Sequence, residues 1–94
     1  MNRSLRIVVA DDEPDMRDYL AEVLPDLGHQ VVGIAATGTE LLEKCRGLHP
    51  DLIITDVRMP DGDGLSAVKE YTTERFVPVI LVTAFTDQEI LQQA

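Results

Sequence analysis

The chain has 94 residues, an apolar fraction of 45% and a formal net charge of −9 from 17 acidic and 8 basic side chains. That describes one small globular domain, too apolar for intrinsic disorder and too short for two cores. Its acidity repels phosphate backbones and argues against direct nucleic-acid binding by this segment, and no window approaches a membrane span.

Residues 1–10 lack the long apolar run of a secretory leader, so the expected compartment is the cytoplasm. Aromatic residues are few and tryptophan is absent, which leaves an aliphatic core. The single cysteine, Cys45, rules out an internal disulfide. Its helical spacing with Leu41 and Leu48 reads as a buried small hydrophobe.

LRIVVA (5–10) is short, apolar and β-branched, and it stops abruptly at DDEPD, as a buried strand running into a loop does. Pro14 suits the first turn of a helix, and acids around it suit a helix N-terminus. Met16, Tyr19, Leu20, Val23, Leu24 and Leu27 then recur at helical spacing as the expected apolar face. Pro25 disturbs the last turn and Gly28 stops the helix. QVVGIAA (30–36) is a second strand. Thr37 or Thr39 caps a second helix, whose inner face is Leu41, Leu42, Cys45 and Leu48, and His49-Pro50 breaks it. DLIIT (51–55) is apolar on successive residues, as a central parallel strand is. GLSAVKEYTTE (64–74) is helical, VPVILVTAF (77–85) is a fourth strand, and TDQEILQQA (86–94) opens a fourth helix with Thr86 as its cap. Strands alternating with helices predict an α/β fold with a parallel sheet and right-handed crossovers.

In such sheets ligands gather at the carboxyl ends of the strands. The first strand ends in Asp11, Asp12 and Glu13, the third in Asp56 and the fourth in Thr83. If the first and third strands are neighbours, Asp11, Asp12 and Asp56 converge. Carboxylates so close repel one another, and a hard divalent cation such as Mg²⁺ removes the conflict. Mg²⁺ favours phosphoryl chemistry, and a carboxylate can itself be the nucleophile. Asp56, on a stiff strand, suits that role, and the Thr83 hydroxyl could meet phosphoryl oxygens. Pro60, Gly62 and Gly64 allow the sharp turn that follows, from which a carbonyl could ligate the cation. Taken singly, Asp11 and Asp12 are also plausible helix-capping acids, and Asp51, Asp61 and Asp63 read as turn or cap residues. Asp61, Asp63, Gly64 and Glu70 fall at the third, fifth, sixth and twelfth positions of a calcium-loop pattern, but Met59 occupies its first position and a strand precedes it.

IVVADDEPDMRDYL, PDLIITDVRMPDGDG and PVILVTAF, in this order and spacing, make the chain resemble the receiver domain of bacterial two-component response regulators. The resemblance covers essentially all of residues 1–94. It implies a flavodoxin-like, doubly wound sheet of order 2-1-3-4-5, of which this chain carries 2-1-3-4, without the fifth strand and fifth helix. It further implies that Asp56 is the phosphoacceptor and that Asp11, Asp12 and Asp56 hold Mg²⁺, with Asp12 favoured over Asp11 as a direct ligand. Arg58 would add its backbone carbonyl, Thr83 the switch hydroxyl, and Ala84 the small residue that leaves the phosphoryl pocket open. A histidine kinase would donate the phosphoryl group, and an output domain or protein beyond residue 94 would read it. The receiver would be a self-catalysed acceptor, not an enzyme turning over a metabolite.

The family's lysine after the fourth strand has no counterpart here, since Lys44 and Lys69 lie upstream on helices. The domain is therefore expected to be C-terminally incomplete, with an open fourth strand that invites self-association. A phosphorylation-impaired interaction module is the alternative function. A Mg²⁺-dependent phosphatase would want an aspartate two residues after the nucleophile, where Arg58 stands.

Overall fold

The computed structural model describes residues 4–57, 59 and 64–82. The elements alternate: β1 (Arg6–Ala10), α1 (Pro14–Asp26), β2 (Gln30–Ala35), α2 (Gly38–Leu48), β3 (Leu52–Asp56), α3 (Gly64–Glu74) and β4 (Val79–Val82). The strands form one sheet in the order β2-β1-β3-β4, and every pairing is parallel. The parallel sheet is the one expected from the alternating pattern, and its order is the doubly wound, flavodoxin-like one that the resemblance implies. The fourth helix expected over 86–94 lies outside the described residues.

Strand alternation divides the core into two layers. Val8, Ala10 and Ile53 point to the α2/α3 side, where they meet Leu41, Cys45, Ala67, Val68 and Tyr71. Ile7, Val9 and Ile54 point to the other side and meet Leu24 of α1. The continuous apolar runs of β1 and β3 thus arise because helices cover both faces.

Two of the expected inward residues of α1 are corrected by the structure: Tyr19 is 58% and Leu27 61% exposed. At 100° per residue Tyr19 lies about 140° round the helix from buried Leu24. Leu27 is the residue at which the chain leaves the helix. Pro25 is accommodated inside the last turn, and Gly28 follows at φ +94°. The Gly28 amide donates to Pro25 O at 2.9 Å and the His29 amide to Leu24 O at 3.1 Å. This paired closure needs a left-handed residue, which glycine adopts without strain.

Thr37, one of the two expected caps of α2, accepts from the Glu40 amide at 3.1 Å, while Glu40 Oε1 accepts from the Ala36 amide at 2.7 Å. Such a cap contributes about 1 kcal/mol. His49 ends α2 in the left-handed region at φ 49°. Across the outer surfaces of α2 and α3, Arg46 pairs with Glu70 and Glu74.

Cys45 is buried between these helices, and burial pushes its thiol from 9.0 up to about 12. The folded value lies above the unfolded one, so the thiol favours folding below pH 9 and that contribution fades as pH rises from 9 towards 12. A disulfide reagent at pH 8 is expected to label Cys45 only after denaturant is added; rapid labelling of native protein would contradict this burial.

Candidate functional site

The site is built where β1 and β3 end. The two strands pair directly, with Ala10 opposite Thr55. The residues that follow this pair, Asp11 and Asp56, therefore emerge side by side at the carboxyl edge, and Asp12 comes with Asp11. One carboxylate oxygen from each of Asp11, Asp12 and Asp56 can be chosen so that all lie within 4.8 Å of one another. Asp11 is 5% and Asp56 6% exposed, whereas Asp12 is open to solvent.

Asp11 is fixed from several directions. Its amide donates to Ala35 O at the end of β2, 3.1 Å away. Its Oδ1 accepts from the Glu13 amide at 2.9 Å, an i to i+2 turn that shapes the entry to α1. The N-cap of α1 is Glu13, and it makes no side-chain cap bond, so capping is not what Asp11 or Asp12 does at that position. Arg17 Nη1 donates to Asp11 O at 2.7 Å. Sequence reading missed Arg17, although it is the one basic residue of α1 and sits one helical turn beyond the acidic loop.

Asp56 is fixed through its backbone. The buried Thr55 hydroxyl donates to Asp56 O at 2.9 Å, and the Gly64 amide donates to Val57 O at 2.9 Å. The first residue of α3 thereby lies directly against the end of β3. A β-carbon at Gly64 would overlap Asp56 O and Thr55 Oγ1 and stand 3.2 Å from the Asp56 carbonyl carbon. Met59, the first position of the calcium-loop pattern, is buried in the α2/α3 layer and so belongs to the core. Arg58, Asp61, Asp63, Thr83 and Ala84 lie outside the described residues.

An all-oxygen, all-carboxylate donor set with one solvent-open member fits a hard divalent cation that keeps several waters, which is the preference of Mg²⁺. It offers neither the sulfur nor the imidazole that zinc sites favour. With such a cation bound, a carboxylate at the mouth of the sheet could serve as a nucleophile towards a phosphoryl group.

Comparison with known proteins gives the family and the same fold. The response regulator receiver domain family matches residues 7–94. Transcriptional regulatory protein PdtaR of Mycobacterium tuberculosis is 38% identical over 89 residues, covering 95% of this chain and 43% of PdtaR. The chain thus spans less than half of that relative. The response regulator domain of Thermotoga maritima CheB superposes with a TM-score of 0.84 at 34% identity, covering 92% of this chain and 65% of that one. The response regulator PhyR of Brucella abortus superposes with a TM-score of 0.83 at 34% identity, covering 88% of this chain and 35% of PhyR. With the sheet order, the converging carboxylates and the sequence match in agreement, this chain belongs to the response regulator receiver domain family.

Proposed function

We propose that Asp56 accepts a phosphoryl group from a histidine kinase and that the resulting aspartyl phosphate changes the affinity of the domain for its output partner. The observation that carries this reading is the convergence of Asp11, Asp12 and Asp56 at the carboxyl edge of the sheet. An Asp56 carboxylate oxygen attacks phosphorus, the bond from phosphorus to the donor breaks, and the donor leaves with its electron pair. Asp11, Asp12 and Asp56 would hold Mg²⁺, and by resemblance Asp12 is favoured over Asp11 as a direct ligand. When bound there, Mg²⁺ would supply positive charge to offset that on the transferring phosphoryl oxygens. Asp56 is oriented by the backbone contacts of Thr55 and Gly64. By resemblance, Arg58 supplies a carbonyl to the cation, Thr83 the switch hydroxyl and Ala84 the open pocket. The domain is an acceptor that modifies itself, and it acts inside the cell.

Intact mass after incubation with acetyl phosphate is the test. A phosphoryl adduct that requires Mg²⁺ is expected. Folded protein that gains no adduct would overturn the reading in favour of an interaction module.

We also propose that the domain self-associates through β4. Among the described residues β4 is the outer strand of the sheet, and Ile80 and Leu81 on it are about half exposed. An apolar edge of this kind favours pairing with another chain. Sedimentation is expected to show a concentration-dependent mass; a monomer at all concentrations would end this proposal.

A further inference from the structure

Thr55 is the one polar residue in the apolar run that precedes Asp56 in β3. It is fully buried and faces the same layer as Ile53, with its hydroxyl beneath the first residue of α3. A buried hydroxyl adds nothing to apolar packing and must be hydrogen-bonded to avoid a penalty. Here the partner is the carbonyl of Asp56 itself, at 2.9 Å. That carbonyl is also in close approach to Gly64. Displacing this carbonyl displaces the Asp56 Cα bonded to its carbon, and with it the carboxylate that lies beside Asp11 and Asp12.

We infer that Thr55 is a positioning residue, whose hydroxyl pins the Asp56 backbone against the start of α3 and so holds the acceptor carboxylate in the cation site. The inference rests on the reading of that site given above. Thr55→Val keeps the shape of the side chain but removes the donor. It also places a methyl 2.9 Å from the carbonyl oxygen if nothing moves, inside ordinary carbon–oxygen contact of about 3.3 Å. The carbonyl is then both released and pushed. Thr55→Ser keeps the hydroxyl and loses only a buried methyl, which costs stability but leaves the anchor.

The experiment compares wild type, Thr55→Val and Thr55→Ser in two ways. Mg²⁺ affinity is measured from amide chemical shifts during titration, and exchange of the Gly64 amide is measured without metal. Thr55→Val is expected to weaken Mg²⁺ binding by about three- to tenfold. Thr55→Ser is expected to stay within about twofold of wild type although its melting temperature falls. Gly64 exchange is expected to quicken in Thr55→Val by on the order of tenfold and little in Thr55→Ser. Unchanged affinity in Thr55→Val, or an equal loss in both variants, overturns the inference. If wild type itself shows no saturable Mg²⁺ response, the reading of the carboxylate site fails. Gly64 exchange then decides the anchor alone, and equal rates in all three proteins refute it.

Discussion

Replacing Asp56 by asparagine is expected to abolish phosphoryl uptake from acetyl phosphate, by at least about a hundredfold. The amide has nearly the shape of the carboxylate but is a poor nucleophile, so the fold survives while the chemistry does not. The same variant carries a second expectation of opposite sign. Asp56 is almost buried and its carboxylate lies within reach of those of Asp11 and Asp12. Without a cation these charges repel, and removing one relieves the repulsion. In metal-free buffer the variant is therefore expected to be more stable than wild type, by about 1–2 kcal/mol at an effective dielectric intermediate between protein and water. Added Mg²⁺ should then stabilise wild type more than the variant, since only the native site offers all three carboxylates. Intact mass and thermal melts with chelator or with Mg²⁺ measure both. An adduct on the Asp56→Asn protein would move the acceptor elsewhere. A loss of metal-free stability would show that Asp56 is held by attraction more than it is strained by its neighbours.

Gly64→Ala should have the largest effect of any single-methyl substitution in the described chain. The added carbon would meet the backbone oxygen of Asp56 and the hydroxyl of Thr55, neither of which sits at the end of a flexible side chain. Relief requires moving the end of β3 or the start of α3. Overpacking of this kind costs about 1–3 kcal/mol or more, which for a domain of this size lowers the melting temperature by roughly 5–20 °C. Because the displaced group is the backbone of Asp56, the proposed phosphoacceptor, phosphoryl uptake is expected to fall even at temperatures where the variant is fully folded. Melts combined with acetyl phosphate labelling at low temperature separate the two losses. A variant with wild-type melting and labelling would show that β3 and α3 are looser at this junction than the structure has them.

The order of elements was legible because each carries its own period. β1 and β3 are continuous apolar runs, α2 shows Leu41, Cys45 and Leu48 at helical spacing, and α3 begins at Gly64 and ends at Glu74 as its pattern predicts. The acids of the site were legible because they stop apolar strands. Less legible was which side of α1 faces the sheet. Tyr19 and Leu24 both lie within the apolar repeat, and only the docking angle of the helix decides that Leu24 is covered and Tyr19 is not. Met59 likewise reads as part of a polar turn until the fold carries it back into the α2/α3 layer.

What the sequence by itself determined was the βα alternation, the strand-terminal carboxylates and the resemblance that joins them. These are local patterns, written in hydrophobic period and residue type. The strand order was implied by the resemblance; what only the tertiary structure decided was the register in which β1 and β3 pair, so that Asp11, Asp12 and Asp56 share one place. It also decided that Arg17 holds the Asp11 carbonyl and that Thr55 and Gly64 hold Asp56. Those are contacts to backbone atoms from residues one turn into the next helix, at its first position, or hidden on the opposite face of the strand. No period in the sequence marks them, because a hydrogen bond to a main-chain carbonyl places no demand on the identity of the residue that carries it.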